Sequence, residues 1–229
     1  LVGGIEASAV PAWQAAEQFA TARGMGARLL CYGRAPENAH EFRNTVFAPS
    51  QTAALRAAVA SPAQPAVVLV WHLGLLKLLP PLLRFRPKVL LYLHGIEAWR
   101  PLDPLTRFLF RFVSTFVTNS RYTWERFLQH QPGLAHRQHV VVPLGLGEPV
   151  RETVPSPVAP PQMLMLSRLS ACEDYKGHRE MIAAWGQVRQ QVPGARLVIA
   201  GDGDLRPALE ALVSQHALPD AVHFAGRIT

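Results

Sequence analysis

Short apolar runs alternate with stretches of helical periodicity along the chain. After the apolar run at 163–166, for example, Met181, Ile182 and Trp185 recur at the spacing of one helix face. Such an order of strand, helix and strand predicts an α/β fold with parallel sheets, and unbroken apolar runs predict strands covered on both faces. The runs typical of strands lie at 28–32, 67–70, 89–93, 115–118, 140–142, 163–166, 196–200 and 222–225.

A proline-rich segment divides the chain into two parts. Residues 149–161 read PVRETVPSPVAPP, and proline at this density fits neither a helix nor a central strand. The segment therefore predicts a stiff linker. We expect a first Rossmann-like domain at 1–148 and a second one that begins at 162 and continues to 229.

Two permanent cations lie between a predicted strand and a predicted helix. Arg168 and Lys176 follow the apolar run at 163–166 and precede the helix that carries Met181. Ligands of parallel sheets bind beyond the carboxyl ends of the strands, and helix N-termini favour anions. The pattern predicts an anion site that suits a diphosphate, although two solvated loop cations would give the same sequence.

Glycines follow the next strand. Gly201 and Gly203 come directly after the run at 196–200, in the tetrapeptide Gly-Asp-Gly-Asp. Glycine permits both a tight turn and a close approach of the backbone to a ligand. The sequence leaves these two interpretations open.

The segment from Ser167 to Gly226 resembles the donor half of a known enzyme family. The similarity rests on SRL, DYKGH, VPGARLVIAGDGDLRPALEAL and LPDAVHFAG. It is similar to the retaining glycosyltransferases of the GT-B fold, family-four type, also called glycosyl transferases group 1. The resemblance implies two Rossmann-like domains, with Arg168 and Lys176 holding the diphosphate of a nucleotide-sugar donor.

The resemblance continues more loosely through the first half. Gly3 and Gly4 match the glycine turn after the family's first strand, which implies a place near the donor. LHGIEAW matches the segment that brings a histidine, here His94, to the transferred sugar or the acceptor. Glu97 in the same segment is either an acceptor-side neighbour or a plain loop acid.

Two further residues carry two interpretations each. Ser120, in TNSRYT, either meets the donor phosphates or caps the helix that follows. His72 ends another predicted strand, where it either belongs to the acceptor side or serves in packing.

The resemblance implies an enzyme that transfers a sugar from a nucleoside-diphosphate sugar to a hydroxyl with retention of configuration. Glycan, polysaccharide or glycolipid synthesis would be its setting, with a glycan or a lipid-linked molecule as acceptor. Two cations can neutralise a leaving diphosphate, so we expect no metal or other cofactor. The alternatives are a nucleotide-sugar 2-epimerase or a phosphorylase of the same fold, and a non-catalytic nucleotide-sugar-binding module.

The chain departs from the family pattern at both ends. The family's first strand precedes the glycine turn, and an ExxxxxxxE motif that holds the donor's sugar and ribose follows the FAG segment. Neither lies within these 229 residues. We therefore expect an internal fragment with an incomplete second domain and little activity of its own.

The positive net charge of the chain bears on which partners it can bind. The net charge of +7 suits phosphorylated donors, anionic membranes or nucleic acid, but no nucleic-acid motif accompanies it, so we expect no nucleic acid. Arg107 and Arg111 alternate with Leu105, Phe108 and Phe112. Such a helix either lies on an anionic membrane or packs its apolar side on the sheet.

Cysteine use and hydropathy suggest a location. Cys31 and Cys172 lack CxxC spacing, so neither a disulfide framework nor a cysteine metal site is predicted. The apolar region at 66–83 is too interrupted for a spanning helix. We expect a cytoplasmic protein, with peripheral attachment to the inner face of the plasma membrane as a further hypothesis.

Overall fold

The computed structural model of the chain describes residues 4–33, 44–61, 64–145 and 160–228. Its contacts divide the chain into two units, Leu1–Val150 and Arg151–Thr229. Of the predicted linker at 149–161, only residues 160 and 161 fall within the described residues.

The first unit is an α/β structure with two parallel sheets. Strands β1 and β2 form one sheet, and the other has the order β3-β4-β5-β6. Short 3-10 turns at Leu73–Leu78, Pro80–Phe85, Phe110–Phe112 and Pro132–Leu134 complete the unit. Its helices and strands are α1 Gly4–Thr21, β1 Leu29–Tyr32, β2 Thr45–Ala48, α2 Gln51–Val59, β3 Val67–Val70, β4 Lys88–Leu93, α3 Pro104–Leu109, β5 Thr115–Thr118, α4 Arg121–His130 and β6 His139–Val141.

Aromatic rings fill the core of the first unit. Phe116 of β5 and Phe127 of α4 are fully buried, and their ring centroids lie 5.7 Å apart. Phe110 meets both rings edge-on at 5.6 Å. Because such pairs contribute about 0.5–1.5 kcal/mol beyond their area burial, they anchor α4 firmly on the sheet.

The second unit repeats the pattern with a sheet of order β7-β8-β9, again parallel. Its core lies where Ile182 and Trp185 of one helix and Leu209 of the next pack against Leu197 and Ile199. A 3-10 turn at Ala171–Lys176 precedes the first helix. The helices and strands are β7 Gln162–Leu166, α5 His178–Gln191, β8 Arg196–Ala200, α6 Arg206–Gln215 and β9 Val222–Gly226.

Burial of the strands differs from the prediction at the sheet edges. Strands β4 and β5 are largely buried, as predicted. The expectation for β7 is wrong, because Leu164 and Leu166 are 58% and 65% exposed. Strand β7 pairs with β8 alone among the described strands, and an edge position leaves apolar side chains uncovered.

The segment at 105–112, in which basic and aromatic residues alternate, also differs from the prediction of a single helix. The α-helix runs only from Pro104 to Leu109 and continues as the 3-10 turn Phe110–Phe112. Asp103 begins the helix, accepting a hydrogen bond from the Thr106 amide. The hydroxyl of Thr106 and the ammonium of Lys77 bind the same carboxylate and lower the pKa of Asp103 to about 2.

Two glycines bring the loops at the carboxyl ends of β7 and β8 into contact. A Cβ on Gly201 would lie 1.8 Å from the Ser167 carbonyl oxygen, and one on Gly203 would lie 2.2 Å from that of Leu169. Both glycines have a positive φ, 136° and 156°. The structure shows that both glycines lie against the chain's own backbone, which is a structural role, and a close approach to a ligand stays a prediction.

We expect Gly201→Ala to destabilise the protein by about 3 kcal/mol or more, because the new methyl group would overlap a carbonyl oxygen that cannot move freely. Gly186→Ala is the matched control. Gly186 lies inside α5 with open space around it, so alanine there should stabilise by about 0.5–1 kcal/mol. Urea unfolding followed by tryptophan fluorescence measures both, and equal stability of Gly201→Ala and the wild type would contradict the argument.

Candidate functional site

The 3-10 turn between β7 and α5 brings the two predicted cations together. Nη2 of Arg168 lies 2.7 Å from Oε1 of Glu173, and Nζ of Lys176 lies 3.0 Å from Oε2 of the same carboxylate. The turn is kinked at Glu173, whose φ and ψ are −121° and 26°. The kink allows one acidic side chain to bridge two basic ones. We call these three residues the cation cluster.

The cation cluster is partly exposed to solvent. The side chains of Arg168, Lys176 and Glu173 are 43%, 28% and 20% exposed. The Lys176 ammonium and then the Arg168 guanidinium hold the pKa of Glu173 below its ordinary value, so the carboxylate is charged at neutral pH. Exposed ion pairs contribute only about 0.2–1 kcal/mol each, so these pairs leave the cations accessible to a competing anion.

The start of α5 lies directly beside the cation cluster. Gly177 precedes the helix with φ of 83°, and His178 is its first residue. Amide groups at a helix N-terminus favour negative charge, which adds to the attraction of the two cations. The sheet edge, the cations and the helix start therefore all favour an anion at the same place.

His178 ties this helix start to the end of β7. Its side chain is buried, and Nε2 lies 2.8 Å from the hydroxyl of Ser167. Burial, and then the nearby Lys176 ammonium, lowers the pKa of His178, so the imidazole is neutral at pH 7. Sequence reasoning overlooked both His178 and Glu173. The signal for Glu173 was an acid three residues before Lys176, the spacing of an ion pair within one turn.

Gly201 and Gly203 act on the cluster through the backbone. They lie against Ser167 and Leu169, the two neighbours of Arg168. The Leu169 amide donates to the Asp202 carbonyl at 3.1 Å. These contacts fix the start of the Arg168 loop, while a direct contact of either glycine with a donor stays a prediction.

His94 is held inside the first unit. It follows β4, is only 8% exposed, and its Nε2 donates to the Trp71 carbonyl oxygen at 2.6 Å. The rings of Tyr92 and Trp71 lie 4.6 and 5.0 Å from its own. Its orientation is therefore fixed by the first unit, and its predicted contact with sugar or acceptor stays a prediction.

Glu97 and Asn119 hold the backbone of His94 from two sides. Glu97 accepts from the His94 amide at 2.6 Å, and the Asn119 side chain donates to the His94 carbonyl at 2.6 Å. Because β4 and β5 are paired at Leu93 and Thr118, this network lies at the carboxyl edge of their sheet. The buried Glu97 carboxylate thus has a local role, and acceptor contact stays a prediction.

The remaining predicted residues lie at helix starts. His72 accepts from the Gly74 amide at 3.0 Å through Nδ1, and Ser120 accepts from the Thr123 amide at 3.1 Å through its hydroxyl. Gly4 is the first residue of α1, and Gly3 lies outside the described residues. Contacts of these residues with donor or acceptor stay predictions.

The described ranges contain neither a candidate metal centre nor a candidate membrane span. Within them, no group of three or more histidine, cysteine or acidic side chains could hold a metal ion. None of the helices that the structure describes is both long and apolar enough to cross a membrane.

The second unit is similar to a known protein family. Residues 148–229 match the family "Glycosyl transferases group 1". No curated protein matches the chain. The family match covers the cation cluster, α5 and α6.

Solved structures resemble the whole chain in fold. A structure of Anabaena HepE in complex with UDP and glucose shares 18% identity at a TM-score of 0.71, covering 100% of this chain and 67% of that one. The galactosyltransferase WaaB of the lipopolysaccharide outer core, in its apo form, shares 12% identity at 0.67 and covers 99% and 65%. The pneumococcal O-GlcNAc transferase GtfA, in complex with UDP and GlcNAc, shares 15% at 0.55 and covers 82% and 39%.

The chain thus spans between 39% and 67% of the length of these three structures. At such identities the likeness shows the fold, which confirms the predicted pair of Rossmann-like parallel-sheet units. The family resemblance seen in the sequence is confirmed as well: residues 148–229 match the family model of the glycosyl transferases group 1, and the chain has the GT-B fold of the glycosyltransferase structures it resembles.

Proposed function

We propose that the protein transfers a sugar from a nucleoside-diphosphate sugar to a hydroxyl acceptor, with retention of configuration. The observation that carries this proposal is the meeting of Arg168 and Lys176 at the carboxyl end of β7, inside the segment that matches the family. HepE and GtfA were each solved with UDP, which makes a UDP-linked sugar the first donor to test.

The chemistry requires charge to be neutralised on the leaving diphosphate as the glycosidic bond lengthens. A guanidinium and an ammonium are donors of charge-assisted hydrogen bonds to phosphate oxygens, and these are stronger than neutral ones. Donors placed in advance where charge develops stabilise the transition state. Arg168 and Lys176 would have this role, and with both present the proposal requires no metal or other cofactor.

The first unit would supply the acceptor side. His94 would contact the transferred sugar or the acceptor, with Glu97 and His72 as further acceptor-side residues. Ser120, Gly3 and Gly4 would be further contacts of the donor. Support comes from the fixed ring of His94, because a pre-oriented group loses little freedom when the substrate binds. The acceptor would be a glycan or a lipid-linked molecule.

An exposed basic and aromatic surface supports attachment to an anionic membrane. Leu105, Phe108 and Phe112 are 52%, 53% and 36% exposed, and Arg107 and Arg111 beside them are exposed as well. The Arg111 guanidinium lies 5.1 Å from the centre of the Phe108 ring. Cationic groups among outward-facing aromatic rings suit the boundary between headgroups and acyl chains. We propose a cytoplasmic location at the inner face of the plasma membrane.

The gene sequence beyond codon 229 separates the proposed transferase from a non-catalytic binding module. An ExxxxxxxE motif there would support transfer. Its absence would support a module that binds nucleotide sugars without turning them over.

We expect Arg168→Ala and Lys176→Ala each to lower turnover by about 100-fold or more, because each removes a donor to the developing charge. Arg196→Ala is the matched control, since Arg196 is exposed at the opposite, amino-terminal end of β8. Steady-state kinetics of the full gene product with a panel of nucleotide sugars tests this. Near-normal turnover of either cluster variant would contradict the assignment.

For His94→Ala we expect at least about a tenfold loss of turnover with UDP affinity unchanged, because reactive groups lose their alignment. His94→Gln provides the comparison, since its amide still donates to the Trp71 carbonyl. A purely structural role would instead show as a lower unfolding temperature for alanine and normal turnover for glutamine. Kinetics, UDP calorimetry and thermal unfolding of both variants distinguish the two roles.

For the membrane surface we expect binding to vesicles that contain phosphatidylserine, weakened by salt. Arg111→Gln should bind about fivefold more weakly, since one basic residue near an anionic surface is worth about 1 kcal/mol. Arg23→Gln is the control, because Arg23, in the turn that follows α1, likewise lies over an exposed ring, that of Phe19. Co-sedimentation at low and high salt measures this, and no binding at low salt would refute membrane attachment.

A further inference from the structure

We propose that Glu173 is an internal anion that occupies the diphosphate position of the cation cluster and must be displaced when the donor binds. This inference rests on the proposed function, because it concerns the same site. It assigns to Glu173 a role in setting the affinity and charge selectivity of that site.

The Glu173 carboxylate contacts the two cations in the way that a bound anion would. The two oxygens of Glu173 are divided between the two cations, one at 2.7 Å from Arg168 and the other at 3.0 Å from Lys176. A phosphate oxygen that accepts charge-assisted hydrogen bonds would take the same donors at similar distances. Glu173 therefore occupies the contacts that a diphosphate would use.

The neighbouring acid shows that this arrangement is particular to Glu173. Asp174 follows it in the chain and pairs with Arg179 on α5, with both oxygens within 3.1 Å of that guanidinium. Two successive acids in one turn thus have separate partners. Among the described residues, Glu173 is the side chain that forms ion pairs with both Arg168 and Lys176.

Charge balance argues for displacement. Arg168, Lys176 and Glu173 together carry a net single positive charge, whereas the two cations alone carry a double one. The diphosphate of a nucleotide sugar bears one negative charge on each phosphate, so it matches the two cations without Glu173. If the carboxylate stayed in place, like charges would face each other at hydrogen-bonding distance, which disfavours binding.

The surroundings of Glu173 also allow its carboxylate to leave the two cations. The carboxylate lies on a kinked 3-10 turn, and its partners are partly exposed, so water can replace each contact as it breaks. The weak net energy of such pairs means that a more highly charged ligand displaces the carboxylate, while a singly charged one competes poorly. Glu173 would thus favour diphosphates over ligands of lower charge.

The test is calorimetric titration of UDP and of inorganic pyrophosphate into the full gene product, as wild type, Glu173→Gln and Asp174→Asn. We expect Glu173→Gln to bind both ligands about threefold to tenfold more tightly, as two weak ion pairs no longer have to be broken. Asp174→Asn removes an equal charge one residue away and should leave both affinities within about twofold, since its partner lies outside the cluster. Glu173→Asp, which keeps the charge on a shorter side chain, should fall between glutamine and the wild type.

The outcomes separate the two hypotheses. Equal or weaker binding by Glu173→Gln, with UDP binding retained by the wild type, overturns the role of Glu173 and leaves the proposed function standing. If neither UDP nor any other nucleoside diphosphate binds the wild type or the glutamine variant, the proposed function fails and this inference fails with it. Thermal unfolding of each variant shows whether it is folded, and Glu173→Asp decides the question if Glu173→Gln does not fold.

Discussion

The close contact between two loops at one edge of the second sheet is the constraint on which the candidate site depends. Gly201 and Gly203 allow the loop after β8 to lie against the backbone on either side of Arg168. Any side chain at these two positions would push that backbone away. Because Arg168 reaches Glu173 from this segment, the position of the cation cluster follows from two missing side chains in a neighbouring loop.

Parallel pairing explains why polar groups collect where they do in both units. In each sheet the carboxyl ends of the strands meet at one edge, so residues that follow different strands become neighbours. In the first unit this brings His94 after β4 beside Asn119 after β5. In the second it brings the Arg168 loop after β7 beside the glycines after β8. The apolar strands supply a rigid support, and the loops beyond them carry the chemistry.

Sequence reasoning was strongest where a residue's role follows from its position along the chain. Apolar runs located most strands within a residue, and Arg168 and Lys176 lie between strand and helix as the sequence predicted, while the anion site inferred from them stays a prediction. The sequence alone could not show which residues become neighbours in the folded structure. Burial of β7 was overestimated, because an apolar run does not show whether its strand lies at an edge. Glu173 was overlooked, because its two partners become neighbours only through the kink of a 3-10 turn. The short strand β2 lacked a long enough apolar run to be recognised.

The distribution of ion pairs supports the proposed anion site more directly than net charge does. A charge of +7 is compatible with many partners, since it says nothing about which cations already have an acid beside them. In the second unit Arg179 pairs with Asp174, and Arg206 pairs with Glu210 and lies near Asp202. Arg168 and Lys176 instead share a single carboxylate. The cation cluster therefore carries one net positive charge directly before the start of α5, where the helix end favours an anion as well. The shortage of one acid in this cluster, more than the abundance of basic residues elsewhere, is what supports the proposed diphosphate site.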